Sequence, residues 1–376
     1  MTQPRIGVVG TGVIGAMAAW RLAARGLRVI AFDRYAGGHD RGASAGESRI
    51  FRTIYKEGGE YVPLLLRAGE LWRELEKTAG RDLLTRCGGL TIGAPDHPDL
   101  VAVRACAKKH DLPHEVLSAA DAAERFPQHR LDHGEIAVLD PNAGVLRPEP
   151  SVQAALAEAA RLGAEIRPYS PVTGLDETAT GWRITTGGTT AEVDHLVLAP
   201  GPWARETPLL HGIAVEPRLI TACWFAAHDV AAHRPERLPI AVRRHPEAGF
   251  SCFPVLDGVG VKIVPHHLGW PAIDGPESLP RNASVDFLKA ASAAAARLLP
   301  GVRPDPVRVT TFTEGFTPDD HAIVGAVPRQ QNTTVLTGFS GHGFKLAPVF
   351  GEIAADLAEH GTTRHDLTRF APSRFA

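Results

Sequence analysis

Residues 5–34, RIGVVGTGVIGAMAAWRLAARGLRVIAFDR, read as a strand, a glycine turn, a helix and a second strand. Ile6, Val8 and Val9 form the short apolar, β-branched run of a buried parallel strand. Gly10-Thr11-Gly12-Val13-Ile14-Gly15 follows, a G-x-G-x-x-G. Gly10 permits a tight turn, Gly12 lets a pyrophosphate approach the backbone, and Gly15 lets the helix pack close to the strand. The helix continues through Ala16, Ala18, Ala19 and Leu22 to Arg25, and Gly26 stops it. Val29, Ile30 and Phe32 make the second strand. It ends at Asp33, where the acid that holds a ribose hydroxyl belongs. The unit predicts an α/β protein with a Rossmann-like dinucleotide domain. By itself it suits NAD or FAD and disfavours NADP.

A chain of 376 residues has room for two domains or one large elaborated one. A formal net charge of −2 gives no reason to expect a nucleic-acid partner. No apolar run is long enough to span a membrane, and no basic-then-apolar leader precedes the first strand. A cytoplasmic protein is therefore expected. Cys87, Cys106, Cys223 and Cys252 are scattered, without a C-x-x-C or a histidine pair at ligand spacing. Free thiols and no metal site are expected.

Along the chain, a polar, glycine-rich loop over the nucleotide follows Asp33. It leads into Gly46-Glu47-Ser48-Arg49-Ile50-Phe51-Arg52, where two arginines share a face if the piece is helical. Residues 62–79 form an amphipathic helix, with Leu64, Leu65, Ala68, Leu71, Trp72 and Leu75 at helical spacing. Residues 83–93 read as one strand-like stretch, 100–110 and 119–126 as helices, and 137–140 as a strand. A helix capped by Ser151 ends at Gly163. A hairpin turns at Gly187-Gly188, and the apolar strand from His195 runs into Pro200-Gly201-Pro202. Residues 216–306 alternate like an antiparallel sheet and carry a helix over 284–299. Within them Lys262 sits in a small, apolar strand over 258–264. Taken alone, such a lysine reads as the solvent face of an edge strand. Strand 307–313 and strand 334–337 belong to the returning first domain. The latter precedes Gly338-Phe339-Ser340-Gly341-His342-Gly343-Phe344-Lys345 and a helix over 346–360. A strand, a glycine turn and a helix N-terminus cradle an electron-rich ring edge.

With these blocks in order, the chain resembles the FAD-dependent amine oxidases of the monomeric sarcosine oxidase and N-methyltryptophan oxidase family, over essentially its whole length. GTGVIG with Asp33, GESRIFR, DPNAGVL, LVLAPGPW, GVKIVPHH, TPDDH and GFSGHGFKLAP carry the resemblance. It implies a Rossmann-like FAD domain (1–82, 141–215 and 307–376) with an inserted antiparallel-sheet substrate cap (83–140 and 216–306). It places Gly10, Gly12, Val13, Ile14, Gly15, Asp33, Arg34, Ser44, Val172 and Gly201 on the FAD. Arg49 lies against the flavin ring, and Gly341, Gly343, Phe344 and Lys345 sit at its pyrimidine end. Arg52 and Lys345 match the pair that binds the substrate carboxylate. Lys262 matches the lysine that activates dioxygen, which replaces the edge-strand reading. His342 borders substrate or flavin. The implied reaction takes a secondary amine or amino acid and O2 to an imine and H2O2. A monomer or weak dimer is expected.

The chain departs from that pattern twice. The strand before Thr317-Pro318-Asp319 reads Val309-Thr310-Thr311-Phe312-Thr313-Glu314, without the family's flavin-linking cysteine, so noncovalent FAD is expected. Cys252, on a stretch expected to face the substrate, is the nearest cysteine in sequence. The pocket tyrosines are also missing: all four tyrosines precede residue 170, and Ser251 and Glu314 stand at the pocket positions. A dehydrogenase of the same fold and a non-catalytic flavin-binding protein are the alternatives. Lys262 favours the oxidase over the first. Joint retention of Arg49, Arg52, Lys262 and Lys345 argues against the second.

Overall fold

The glycine unit folds as its residues dictate. A computed structural model describes residues 3–258 and 260–375; Val259, in the strand expected over 258–264, lies outside them. Strand Arg5–Val9 pairs in parallel with Arg28–Phe32 on one side and His195–Leu198 on the other. Thr333–Thr337 and Glu165–Arg167 extend this sheet in parallel, and antiparallel Ile323–Ala326 closes one edge. Helices Val13–Ala24, Tyr61–Ala79, Pro148–Arg161 and Ala347–His360 bury their apolar faces in one cluster on one side. On the other side the sheet packs against a three-stranded meander (Val172–Glu177, Trp182–Thr186 and Thr189–Val193) through Trp182, Ile184, Ala191 and Val193. Ile6 and Val8 face the helices while Gly7 and Val9 face the meander, so the strand is covered on both sides.

A second, eight-stranded sheet runs Val302–Phe316, Glu216–Ala227, Gly260–Pro265, Phe250–Phe253, Ile240–Arg243, Gly89–Gly93, Ile136–Asp140 and Glu115–Leu117. It is antiparallel except where Ile240–Arg243 meets Gly89–Gly93. Alternation gives it two different faces. Cys223, Phe225, Val261, Ile263, Phe250 and Cys252 pack under helix Val285–Leu298 through Ala291, Ala294, Ala295 and Leu298. The opposite face carries Trp224, Lys262, Phe253, Ser251, Phe312 and Glu314, as the cross-strand registers require.

Several sequence expectations are corrected. The strand expected over 307–313 extends over Val302–Phe316 and belongs to the eight-stranded sheet, because Glu216–Ala227 pairs along its length. The domain boundary placed at 307 therefore cuts through a strand. Residues 83–93 are two strands: Leu84–Thr85 joins a small sheet with Gly144–Leu146 and Arg49–Phe51, and the chain breaks at Gly88 (φ 76°) before Gly89–Gly93. Arg49–Phe51 is a strand rather than a helix, so Arg49 and Arg52 do not share a face. Ser151 is not a cap. Its helix begins at Pro148, and its hydroxyl donates back to the carbonyl of Arg147. Cys252 turns to the helix side of its sheet, away from the substrate face, because it alternates with Ser251 and Phe253.

Candidate active site

One elongated cavity of about 330 Å³ lies between the two large sheets. At one end it is lined by the glycine turn. Gly10 takes φ 89°, and a Cβ there would lie 2.4 Å from the carbonyl oxygen of Ala199. A Cβ on Gly15 would lie 1.8 Å from that of Gly10, so this glycine is turned into the turn and does not line the cavity. Gly12 does, and a Cβ on it would meet only Ser44 Oγ at 3.3 Å. The helix that starts at Val13 has no acid in its first turn and no side-chain cap. Only Val13 N–H is taken, by Ser44 Oγ at 2.9 Å. Its positive end therefore opens on the cavity. Asp33 is buried beside it and accepts from Thr11 N–H (2.6 Å), Thr11 Oγ (3.0 Å) and Tyr35 N–H (2.8 Å). Val13, Ile14, Arg34, Val172 and Gly201 also line this half, and Arg34 pairs with Glu277 at 2.7 Å.

The other half is lined by Arg49, Glu314, Gly341, Gly343 and Phe344. Arg49 donates to the carbonyls of Ser48 (2.8 Å) and Ala43 (2.7 Å), and its guanidinium lies 5.3 Å from the Phe312 ring. Lys262 is 2% exposed, in an interior strand of the sheet. Its ammonium donates to the carbonyls of Gly46 (2.8 Å) and Ser48 (2.9 Å), between the rings of Phe253 (4.6 Å) and Trp224 (5.5 Å). Burial, reinforced by Arg49 and opposed by Glu47, holds its pKa well below the usual lysine range.

Next to this end is a second cationic group. Lys345 is buried behind the glycine turn and donates to the His342 carbonyl (2.8 Å) and the Tyr55 hydroxyl (3.2 Å). Burial, and then Arg52, brings its pKa down to about 7, against the pull of Glu57 and Glu314. Tyr55 stands between the two cations, its ring 5.0 Å from the Arg52 guanidinium and 5.2 Å from Lys345 Nζ. Arg52 gives Nη2 to Glu57 at 3.3 Å, while its Nε and Nη1 are buried without a partner. Burial pushes the Glu57 carboxyl up, but Arg52, with His342 and Lys56, outweighs it and holds it at about 2. His342 Nε2 meets the Asp320 carbonyl at 2.7 Å. Its Nδ1 is buried and free, and burial lowers its pKa to about 4. Ser251 stands on the same sheet face as Lys262 but does not line the cavity.

Tyr55, Glu57 and His266 were given no role in the site from sequence. His266 has a buried Nε2 without a partner, and burial lowers its pKa to about 3. Glu57, five residues past Arg52, was legible as a charge partner. Nothing in spacing marks His266.

The profile of the DAO family of FAD dependent oxidoreductases matches residues 5–357. The chain belongs to this family. It is 37% identical over 374 residues to monomeric sarcosine oxidase of Streptomyces avermitilis, covering 98% of this chain and 97% of that one. It is 32% identical over 370 residues to N-methyl-L-tryptophan oxidase of Salmonella arizonae, covering 98% of each. Among solved structures it is similar to NikD, an unusual amino acid oxidase, in its open form (TM-score 0.85, 26% identity, 99% of this chain and 98% of that one).

FAD fits the residues that this DAO-family chain presents. The uncapped helix end at Gly12–Val13 suits a pyrophosphate and Asp33 a ribose, while a second glycine turn lines the far end of the same cavity. No helix among the described residues is long and apolar enough to cross a membrane. None of the four free cysteines lines the cavity, and Phe312 stands beside Arg49. A thioether needs a thiolate within reach. Acid precipitation should therefore leave the flavin in the supernatant; a yellow pellet, or a fluorescent band on a denaturing gel, contradicts a noncovalent cofactor.

Proposed function

We propose that the protein is an oxidase of a secondary amine or amino acid, of the N-methyl or cyclic class, producing an imine and H2O2. One observation supports this above the others. A desolvated ammonium, Lys262, shares the Ser48 carbonyl with the cavity-lining Arg49, and an arginine with two unpartnered buried donors, Arg52, meets Tyr55 and through it Lys345, next to the cavity-lining Phe344. Bound FAD would supply the two-electron acceptor for the hydride equivalent of the C–H beside the amine nitrogen, whose N–H proton leaves as the imine forms, and O2 would take those electrons on to H2O2. The chain supplies the rest. Arg52 Nε and Nη1 and the Lys345 ammonium bind the substrate carboxylate, a planar fork beside a point charge. That anchor holds the reacting C–H in place, which is positioning catalysis. His342 Nδ1 is free to meet the substrate, whereas Ser251, which does not line the cavity, takes no part in the anchor. Arg49 packs against the cofactor ring, and Lys262 offers a fixed cation where negative charge develops on O2. Lys262 favours an oxidase over a dehydrogenase that uses a quinone or carrier protein. The reading includes a cytoplasmic protein, monomeric or weakly dimeric, acting on free small molecules.

Two outcomes are expected. Lys262→Met should slow reoxidation of the reduced enzyme by O2 far more than it slows reduction by substrate. Stopped-flow measurement of both half-reactions decides this, and equal slowing of both contradicts the assigned role.

The second outcome concerns pH. An anion favours the protonated form of Lys345, whose pKa in the free protein is about 7. Affinity for a carboxylate without an amine group should therefore fall as pH rises above about 7, by up to about tenfold per unit. The ligand's effect on the flavin absorption spectrum reads this directly. A flat profile, or one unchanged in Lys345→Gln, removes Lys345 from the anchor.

A further inference from the structure

Glu314 is a carboxylate without an ion-pair partner at the cavity end that Arg49 lines and Lys345 stands behind. It lies on strand Val302–Phe316, opposite Arg218, on the sheet face that also carries Phe312 and Lys262. It lines the cavity at the end formed by Gly341, Gly343 and Phe344. The other carboxylates lining this cavity, Asp33 and Glu206, are not at that end: Asp33 holds the glycine turn, and Glu206 follows the Gly201 turn. Oε1 accepts the Gly341 N–H at 2.9 Å. Oε2 makes no hydrogen bond to any described residue, and no cation lies within ion-pair distance. Arg49 has turned its donors to the carbonyls of Ala43 and Ser48, and Lys345 to Tyr55 and His342. Burial raises the Glu314 pKa, opposed by the Gly341 amide and by Arg49 and Lys345. Glu314 is half-buried and its Oε2 is open to the cavity, so an occupant that displaces water from Oε2 without donating to it is disfavoured.

We propose that Glu314 determines substrate specificity: the natural substrate carries a hydrogen-bond-donating group besides its reacting amine and its carboxylate, a hydroxyl, amine or guanidinium that meets Glu314 Oε2. The inference rests on the oxidase reading and narrows it. Carboxylate binding at Arg52 and Lys345 fixes one end of the molecule, and Glu314 then reads the other. A site built to pair with a donor rejects the analogue that lacks it far more strongly than an apolar pocket rejects an extra methylene. Sarcosine, with no side chain, leaves Oε2 unpaired.

The test compares holoenzyme with Glu314→Gln and Glu314→Leu on matched N-methyl amino acids: alanine against serine, and norleucine against lysine. Wild type should favour the donor member of at least one pair by about tenfold or more in kcat/KM. Glu314→Leu should lose that preference through the donor substrate alone. Glu314→Gln, which keeps an acceptor for the Gly341 amide, should keep its flavin and lose the lysine preference most. The proposal is overturned if wild type shows no preference in either pair. It is also overturned if Glu314→Leu loses all substrates by one factor, because Glu314 then acts on the common amine or through the Gly341 turn. Should no pair be oxidised at all, the oxidase reading fails separately. Dissociation constants for the same pairs, read from the flavin spectrum without turnover, still decide whether Glu314 discriminates.

Discussion

The site depends on keeping the Lys262 ammonium out of water. Removing a charge from solvent costs several kcal/mol even after relaxation, and no carboxylate lies within ion-pair distance among the described residues. Two backbone carbonyls, of Gly46 and Ser48, and the faces of Phe253 and Trp224 replace the water. Both carbonyls must point at one spot, and the loop that carries them is fixed from its other side. Glu149, in the first turn of helix Pro148–Arg161, accepts the N–H of Gly46 at 2.6 Å and that of Glu47 at 3.3 Å. Glu47 sits at φ 70°, unusual for a non-glycine residue, and its carboxylate accepts Trp224 Nε1 at 2.9 Å. Segment 43–49 thus joins the two sheets: its amides are held by the nucleotide side, its carbonyls by the cap lysine, and Arg49 by its own neighbours.

Much of this is legible in the sequence. The glycine unit carries its own context, and the outcome at Gly10, Gly12 and Asp33 follows from sterics that any chain must obey. Lys262 was not legible from residues alone: a lysine in an apolar strand is more often at an edge, and only the resemblance moved it inward. Its burial comes from non-local pairing, with Trp224 on one neighbouring strand and Phe253 on the other. The same non-locality misplaced the 302–316 strand. Its sequence neighbours suggested the nucleotide domain, whereas its partner lies about ninety residues upstream, in Glu216–Ala227. Cys252 was misread by a single residue, because one step along a strand exchanges the substrate face for the core.

The division between the sheet's faces also explains how this chain differs from an aromatic-lined pocket. The substrate face combines Trp224 and Phe312 with Ser251 and Glu314, and the helix face is apolar. Changes on the first face alter what the cavity accepts without touching the packing under helix Val285–Leu298. Phe312 and Glu314 are two residues apart on one strand, so the ring beside Arg49 and the proposed specificity residue share one face of the same sheet.

A carboxylate-anchored amine should reduce the bound FAD, and O2 should then reoxidise it. Anaerobic mixing with N-methyl and cyclic amino acids, alongside their decarboxylated analogues, tests this most directly. At least one amino acid should bleach the flavin, its analogue should do so far more slowly, and admitting O2 should restore the colour with one H2O2 per flavin. Bleaching by neither class, equal bleaching by both, or reoxidation only by a quinone would contradict it.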